Sequence, residues 1–184
     1  MASPEPNQTR VLVVGTSSVG KTAFAKRLAA TWNLPRIELD ALYWGNHWQP
    51  KPKSEFLRLI DEATHGPAWV ADGNYGSVRE HLWPKATQII WLNYSLPVNL
   101  WRGLRRSVRR SFTGEDLWHG NRESFKRTFM SKESILVWIL STHSRRRLEL
   151  GELHSSERFG RHSWVEFRHP NQAEIWLRKI ENAA

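Results

Sequence analysis

Residues 15–22 read Gly-Thr-Ser-Ser-Val-Gly-Lys-Thr, a complete phosphate-binding loop of the form GxxxxGK[ST]. The β-branched run Val11-Leu12-Val13-Val14 precedes it, and the helical pattern from Ala23 to Ala29 follows it. Strand, glycine loop and helix in that order commit the chain to a parallel α/β start. Gly15 and Gly20 allow backbone conformations that a β-carbon forbids. The amides of Thr16, Ser17, Ser18 and Val19 can then turn inward as an anion-binding nest. The helix start at Lys21, Thr22 and Ala23 adds unpaired N–H groups and the positive end of a dipole. Lys21 can reach the outer phosphates, and the Thr22 hydroxyl can ligate Mg²⁺. ATP with Mg²⁺ is the expected cofactor pair.

The rest of the chain continues the alternation. Strands are predicted over 10–14, 36–39, 68–71, 88–92 and 163–167. Helices are predicted over 21–32, 78–82, 97–110, 134–150 and 171–180. A further helix opens at Ser54, its N-cap, with Phe56, Leu57, Ile60 and Ala63 on the apolar positions. Asn171 followed by Glu174 reads as the cap of the last helix. Residues 40–53 read as loop. Residues 112–131 have mixed charge and weak periodicity and read as a mobile lid. Residues 1–9 read as a flexible lead-in and 10–184 as one domain. Repeated strand–helix alternation implies a largely parallel sheet.

Composition narrows the function. The chain of 184 residues carries 27 Lys and Arg against 18 Asp and Glu, a net charge of +9, which favours anionic partners. It has no Cys, which removes disulfides, zinc–thiolate sites and thiol nucleophiles together. The first residues lack a basic segment followed by an apolar one, and no apolar run reaches the roughly 18 residues of a membrane span. A cytoplasmic protein without membrane association is the expectation. The histidines show no metal-ligand spacing.

Parallel sheets bind ligands at the carboxyl ends of their strands. The phosphate loop, Asp40 and Asp72 all fall at such ends. Asp72 suits a hydrated Mg²⁺. Asp40 could take a proton from an acceptor hydroxyl, or stand in the outer shell of the metal. Tyr43, Trp44 and Trp48 follow it and could stack on a flat group or belong to the core. Arg102, Arg105, Arg106 and Arg109 are spaced i, i+3, i+4, i+7 and share a helix face. Such a face offers the cationic clamp that phosphoryl transfer needs, with Arg105 and Arg109 acting on the transferring group. Arg145-Arg146-Arg147 reads as surface.

Four stretches, in order, carry a family likeness: Gly15–Thr22, Leu39-Asp40-Ala41-Leu42-Tyr43-Trp44, Val70-Ala71-Asp72-Gly73-Asn74-Tyr75, and Ile90-Trp91-Leu92 with the arginine helix. With them the chain resembles the adenylate-kinase-like P-loop proteins of the DNA topology-modulation type, and more distantly shikimate, gluconate and adenylate kinases. The resemblance implies a P-loop NTPase three-layer α/β/α fold, a five-stranded parallel sheet in the order 2-3-1-4-5 and a helical lid. It implies a Mg²⁺-side role for Asp72 and a substrate-side role for Asp40. Gly73, Asn74 and Tyr75 would border the acceptor. Arg102, Arg105 and Arg109 would be lid-side, and His169 and Pro170 would lie near the adenine. Asn74-Tyr75 stands where adenylate kinases have Phe-Pro-Arg. The expected function is an ATP-dependent small-molecule, nucleoside or nucleotide kinase with an unidentified phosphate acceptor. The alternative is a nucleic-acid-associated nucleotide-binding protein.

Overall fold

The computed structural model describes residues 8–113, 135–160 and 162–183. The lid expected at 112–131 lies outside the described residues, apart from the last turn of the helix that leads into it.

Five strands form one sheet: β1 (Arg10–Gly15), β2 (Arg36–Glu38), β3 (Trp69–Asp72), β4 (Gln88–Leu92) and β5 (Ser163–Phe167). All pairs are parallel, in the order β2-β3-β1-β4-β5. The expected fold class is the one observed. β1 is central because both of its faces are apolar. Val11 and Val13 point to one face and Leu12 and Val14 to the other, all fully buried. On the first face they meet Phe24, Ala25 and Leu28 of α1 (Lys21–Thr31) and Ala173 and Leu177 of the last helix. On the second they meet Phe56 and Ile60 of α3 (Lys53–Ala63), with Leu82 and Leu150. Helices therefore cover both sides, and the carboxyl ends of the strands are left to build a site.

Local differences from the sequence reading have physical causes. Residues 40–53 are not all loop: α2 (Leu39–Tyr43) opens immediately after β2, and a 3₁₀ turn spans Asn46–Trp48. Five residues carry too little periodicity to read, and tertiary packing of the buried Leu39 fixes the turn. α3 starts at Lys53, with Pro52 rather than Ser54 as its N-cap, and the Pro52 carbonyl accepts from the Phe56 amide at 2.9 Å. α4 is the short Arg79–Leu82, and α5 runs Leu96–Thr113. α6 (Ile135–Ser155) continues five residues past the expected end. α7 (Pro170–Glu181) is capped by His169, not Asn171. Gln172 Oε1 accepts from the amides of Arg168 (2.9 Å) and His169 (3.1 Å), while Glu174 turns instead to Arg27. Pro170 suits the first helical position because the missing N–H has no helical partner to lose.

Gly73 ties α2 to the end of β3. Its φ is +148°, and a Cβ there would lie 2.7 Å from Leu39 Cβ. Gly73→Ala should therefore cost about 1–3 kcal/mol in urea denaturation, from backbone strain and displacement of Leu39. An unchanged unfolding midpoint would show that α2 is not locked to β3 in this way.

Candidate active site

The bend after β1 is held from behind by α5. Gly20 adopts φ +103°, and a Cβ there would come within 2.7 Å of Arg102 Nη1. The same nitrogen donates to the Val19 carbonyl at 2.7 Å. The guanidinium lies 5.3 Å from the centre of the Tyr94 ring. Asn99, fully buried, donates through Nδ2 to Thr16 Oγ1 at 2.6 Å. These two contacts from one helix set the shape of the bend before any anion arrives. Lys21 Nζ donates to the carbonyls of Gly15 (3.2 Å) and Thr16 (3.0 Å). Burial lowers the Lys21 pKa; Asp40 and Asp72 oppose that shift by attraction, and Arg146 and Arg106 add to it by repulsion.

Asp72 closes β3 and is 3 % exposed. Thr22 Oγ1 donates to its Oδ2 at 2.8 Å. Its Oδ1 is buried without a hydrogen-bond partner among the described residues, with Arg36 Nη1 at 4.0 Å. Burial above all, with the nearby Glu38, raises the carboxyl against the pull of the Thr22 hydroxyl, Lys21 and Arg36, and leaves it at about 6. A hydroxyl and a carboxylate with one orphaned oxygen, next to an anion nest, form a donor set that fits Mg²⁺. That ion takes one or two protein oxygens and otherwise keeps water and phosphate. Among the described residues no group of three or more His, Asp or Glu gathers as a dedicated metal cage.

Asp40 sits on the first turn of α2. The Tyr75 hydroxyl donates to Asp40 Oδ1 in a short hydrogen bond. Burial, and then the Asp40 charge, raise the Tyr75 pKa, so the phenol keeps its proton. The Tyr43 ring lies 4.6 Å from Tyr75 and 4.8 Å from Trp44, which makes an aromatic wall. These groups face a cleft of about 460 Å³. Gly15, Ser17 and Lys21 of the bend line it together with Asp40, Trp44 and Asn74. The Asn74 amide lies at this wall with Oδ1 and Nδ2 both buried and unpartnered among the described residues.

The arginines divide differently from the sequence reading. The four-residue face of α5 straddles the boundary between core and solvent. Arg102 and Arg106 are half-buried on the loop side, whereas Arg105 and Arg109 are exposed. Neither exposed residue borders the cleft. Arg146, expected at the surface, instead enters the cleft from α6. Its Nη1 donates to the Asn74 carbonyl at 3.2 Å, and its guanidinium lies 5.9 Å from the Trp138 ring centre. Trp138 Nε1 donates to Ser17 Oγ at 3.0 Å. Positions 138, 142 and 146 fall on one helical stripe, with buried Thr142 between them; the spacing was legible, but not the direction in which the stripe faces. Pro170 borders a separate space of about 100 Å³ with Gly20, Tyr94 and Arg102, on the far side of the bend. His169 caps α7 at that edge. Trp48 packs on Trp44 with ring centres 5.7 Å apart.

Solved structures of two shikimate kinases and a gluconokinase share this fold. The shikimate kinase of Bacteroides thetaiotaomicron superposes with a TM-score of 0.57 at 14 % identity, over 95 % of this chain and 97 % of its own. A gluconokinase from Sinorhizobium meliloti 1021 gives 0.54 at 20 % identity, over 96 % and 95 %. The shikimate kinase of Acinetobacter baumannii, in complex with shikimate, gives 0.53 at 14 % identity, over 97 % and 96 %. No protein-family model matches the chain, and no curated protein matches it. At these identities the likeness concerns the fold. Among the described residues no helix is long and apolar enough to cross a membrane.

Proposed function

We propose that the chain is an ATP-dependent kinase, in a single domain over residues 10–184, that phosphorylates a hydroxyl of a small molecule. The observation that carries this reading is the shared cleft: the lysine of the phosphate loop and the carboxylate of Asp40 line one cavity at the carboxyl end of a parallel sheet. The fold of the kinases with which it superposes supports the same reading.

Residues 15–23 would bind the triphosphate through backbone amides, with Lys21 moving from its loop carbonyls to the phosphates. Thr22 and Asp72 would hold Mg²⁺, which neutralises charge on the phosphates when bound. Asp40, oriented by the Tyr75 hydroxyl, would accept the proton of the acceptor hydroxyl. That oxygen forms its bond to the γ-phosphorus while the bond to the β–γ bridging oxygen breaks, leaving ADP. Lys21 and Arg146 stand where charge on the transferring group can be met. Arg102 and Pro170 flank the space beside Gly20 and would border the base. Arg105 and Arg109, exposed in this state, would contribute only by a rearrangement that carries them inward.

Incubation with γ-labelled ATP and Mg²⁺ across polyols, hydroxy acids, nucleosides, nucleotides and nucleic-acid ends tests the reading. Transfer of label to a hydroxyl of one class is expected. ATP hydrolysis or nucleic-acid binding without any acceptor would instead favour a nucleic-acid-associated nucleotide-binding protein.

A further inference from the structure

The cleft continues past Arg146. A second cavity, of about 530 Å³, opens beyond it, and Gly76 and Arg146 border both spaces. Arg79 of α4 and Arg145, Arg146, Glu149 and Glu152 of α6 are its charged lining residues. The Arg79 side chain is 13 % exposed, and its Nη2 donates to Glu149 Oε1 at 2.5 Å. The Nε groups of both Arg79 and Arg146 are buried with no hydrogen-bond partner among the described residues. A buried guanidinium N–H without an acceptor is costly, and a guanidinium has no means of shedding its charge. Burial lowers the Arg146 pKa, and the charges of Arg145 and Arg79 lower it further, against the opposing pull of Glu149. Three arginines crowd two carboxylates at the open end of the cleft, and the Nε donors of Arg79 and Arg146 still lack an acceptor among the described residues, which leaves room for a further anion.

We infer that the acceptor carries a phosphate group of its own, which seats between Arg79, Arg145 and Arg146 while its hydroxyl lies at Asp40. This inference rests on the kinase reading above and adds the chemical class of the acceptor. Planar guanidinium forks are the side chains best matched to phosphate oxygens. The continuity through Gly76 and Arg146 allows one molecule to occupy both spaces. The phosphate could belong to a small phosphorylated metabolite or to the first phosphodiester of a nucleic-acid strand with a free end.

Calorimetry on the full chain saturated with Mg²⁺ and a non-hydrolysable ATP analogue distinguishes these. Inorganic phosphate and a short single-stranded oligodeoxynucleotide with a 5′-hydroxyl are the probes. At least one should bind. Its affinity should fall about tenfold or more in Arg79→Gln and in Arg145→Glu, while the affinity for the analogue stays the same. Phosphate binding without oligonucleotide binding assigns the site to a metabolite. Tighter oligonucleotide binding that weakens steeply with salt assigns it to a strand end. The exposed Arg145 covers the case in which Arg79→Gln does not fold. If neither probe binds, or binding ignores both substitutions, the second subsite is overturned. If the analogue itself fails to bind, the kinase reading falls separately; the phosphate titration on nucleotide-free protein, compared across Arg145→Glu and Lys21→Ala, then decides the subsite.

Discussion

Lys21→Ala should lower phosphotransfer by roughly 10³-fold or more while leaving the melting temperature within a few degrees of the unaltered protein. The two halves of that expectation come from different contacts. For catalysis, Lys21 is the cation at the base of the bend, and its ammonium lies within electrostatic reach of both Asp40 and Asp72. Charge developing on a transferring phosphoryl group would have no comparable partner at that point. For folding, among the described residues the ammonium bonds only to the carbonyls of Gly15 and Thr16. Burial already disfavours its charged form, so its removal also relieves a desolvation penalty. Turnover with labelled ATP and thermal unfolding by circular dichroism check the two parts. A variant that loses its fold, or one that keeps its turnover, would contradict the role given to this side chain. Lys21→Arg should not rescue, because a planar fork cannot replace a compact ammonium inside a closed bend.

Asp72→Asn should raise stability at neutral pH while lowering Mg²⁺-dependent turnover, by roughly 10²–10³-fold. The folded chain holds this carboxyl at about 6, above the ordinary 3.8. The folded state thus binds the proton more tightly than the unfolded chain does. In metal-free protein, stability should rise as pH falls through 6 and level off below about 3.8, a span worth about 3 kcal/mol. At pH 7 both states are ionised, and the folded one bears the cost of a buried carboxylate. Asparagine removes that cost and can still accept from Thr22. The variant should melt higher at neutral pH and lose the part of the pH dependence between 4 and 6. Mg²⁺ should stabilise the unaltered protein more than the variant, since a ligand that binds only the folded state raises its stability. Denaturation at pH 5 and pH 7, with and without Mg²⁺, measures all three effects. A variant less stable than the parent at pH 7 would show that the carboxylate is better solvated than its surroundings imply.

Much of the fold was legible because the strands are short apolar runs with clear punctuation. Val11–Val14 is buried on both faces, which only a central strand tolerates, and Gly66-Pro67 marks the entry to β3. Asp40 and Asp72 could be placed at strand ends by the same reasoning. What escaped the sequence was decided by tertiary contact. Leu39 packs under Gly73 and turns what reads as loop into α2. Arg146 belongs to a run of three arginines whose neighbours are solvated, so nothing local separates the one that enters the cleft. The arginine face of α5 was legible as a face, but its angular position over the core was not, and that position determines which two of its four charges approach the bend.

One helix, α6, touches the bend after β1 and the far wall of the cleft at once. Trp138 bonds Ser17, Ile139 Cδ1 lies where a Cβ on Gly103 would be 2.7 Å away, and Arg146 bonds the Asn74 carbonyl. A Cβ on Gly103 would also come within 3.3 Å of Ser18 Oγ, so α5, α6 and the bend have little slack between them. A triphosphate that displaced Trp138 from Ser17, and moved the helix in doing so, would also move Arg146. Loading of the first substrate would then alter the affinity for the second, and by thermodynamic reciprocity the second would alter the first by the same factor.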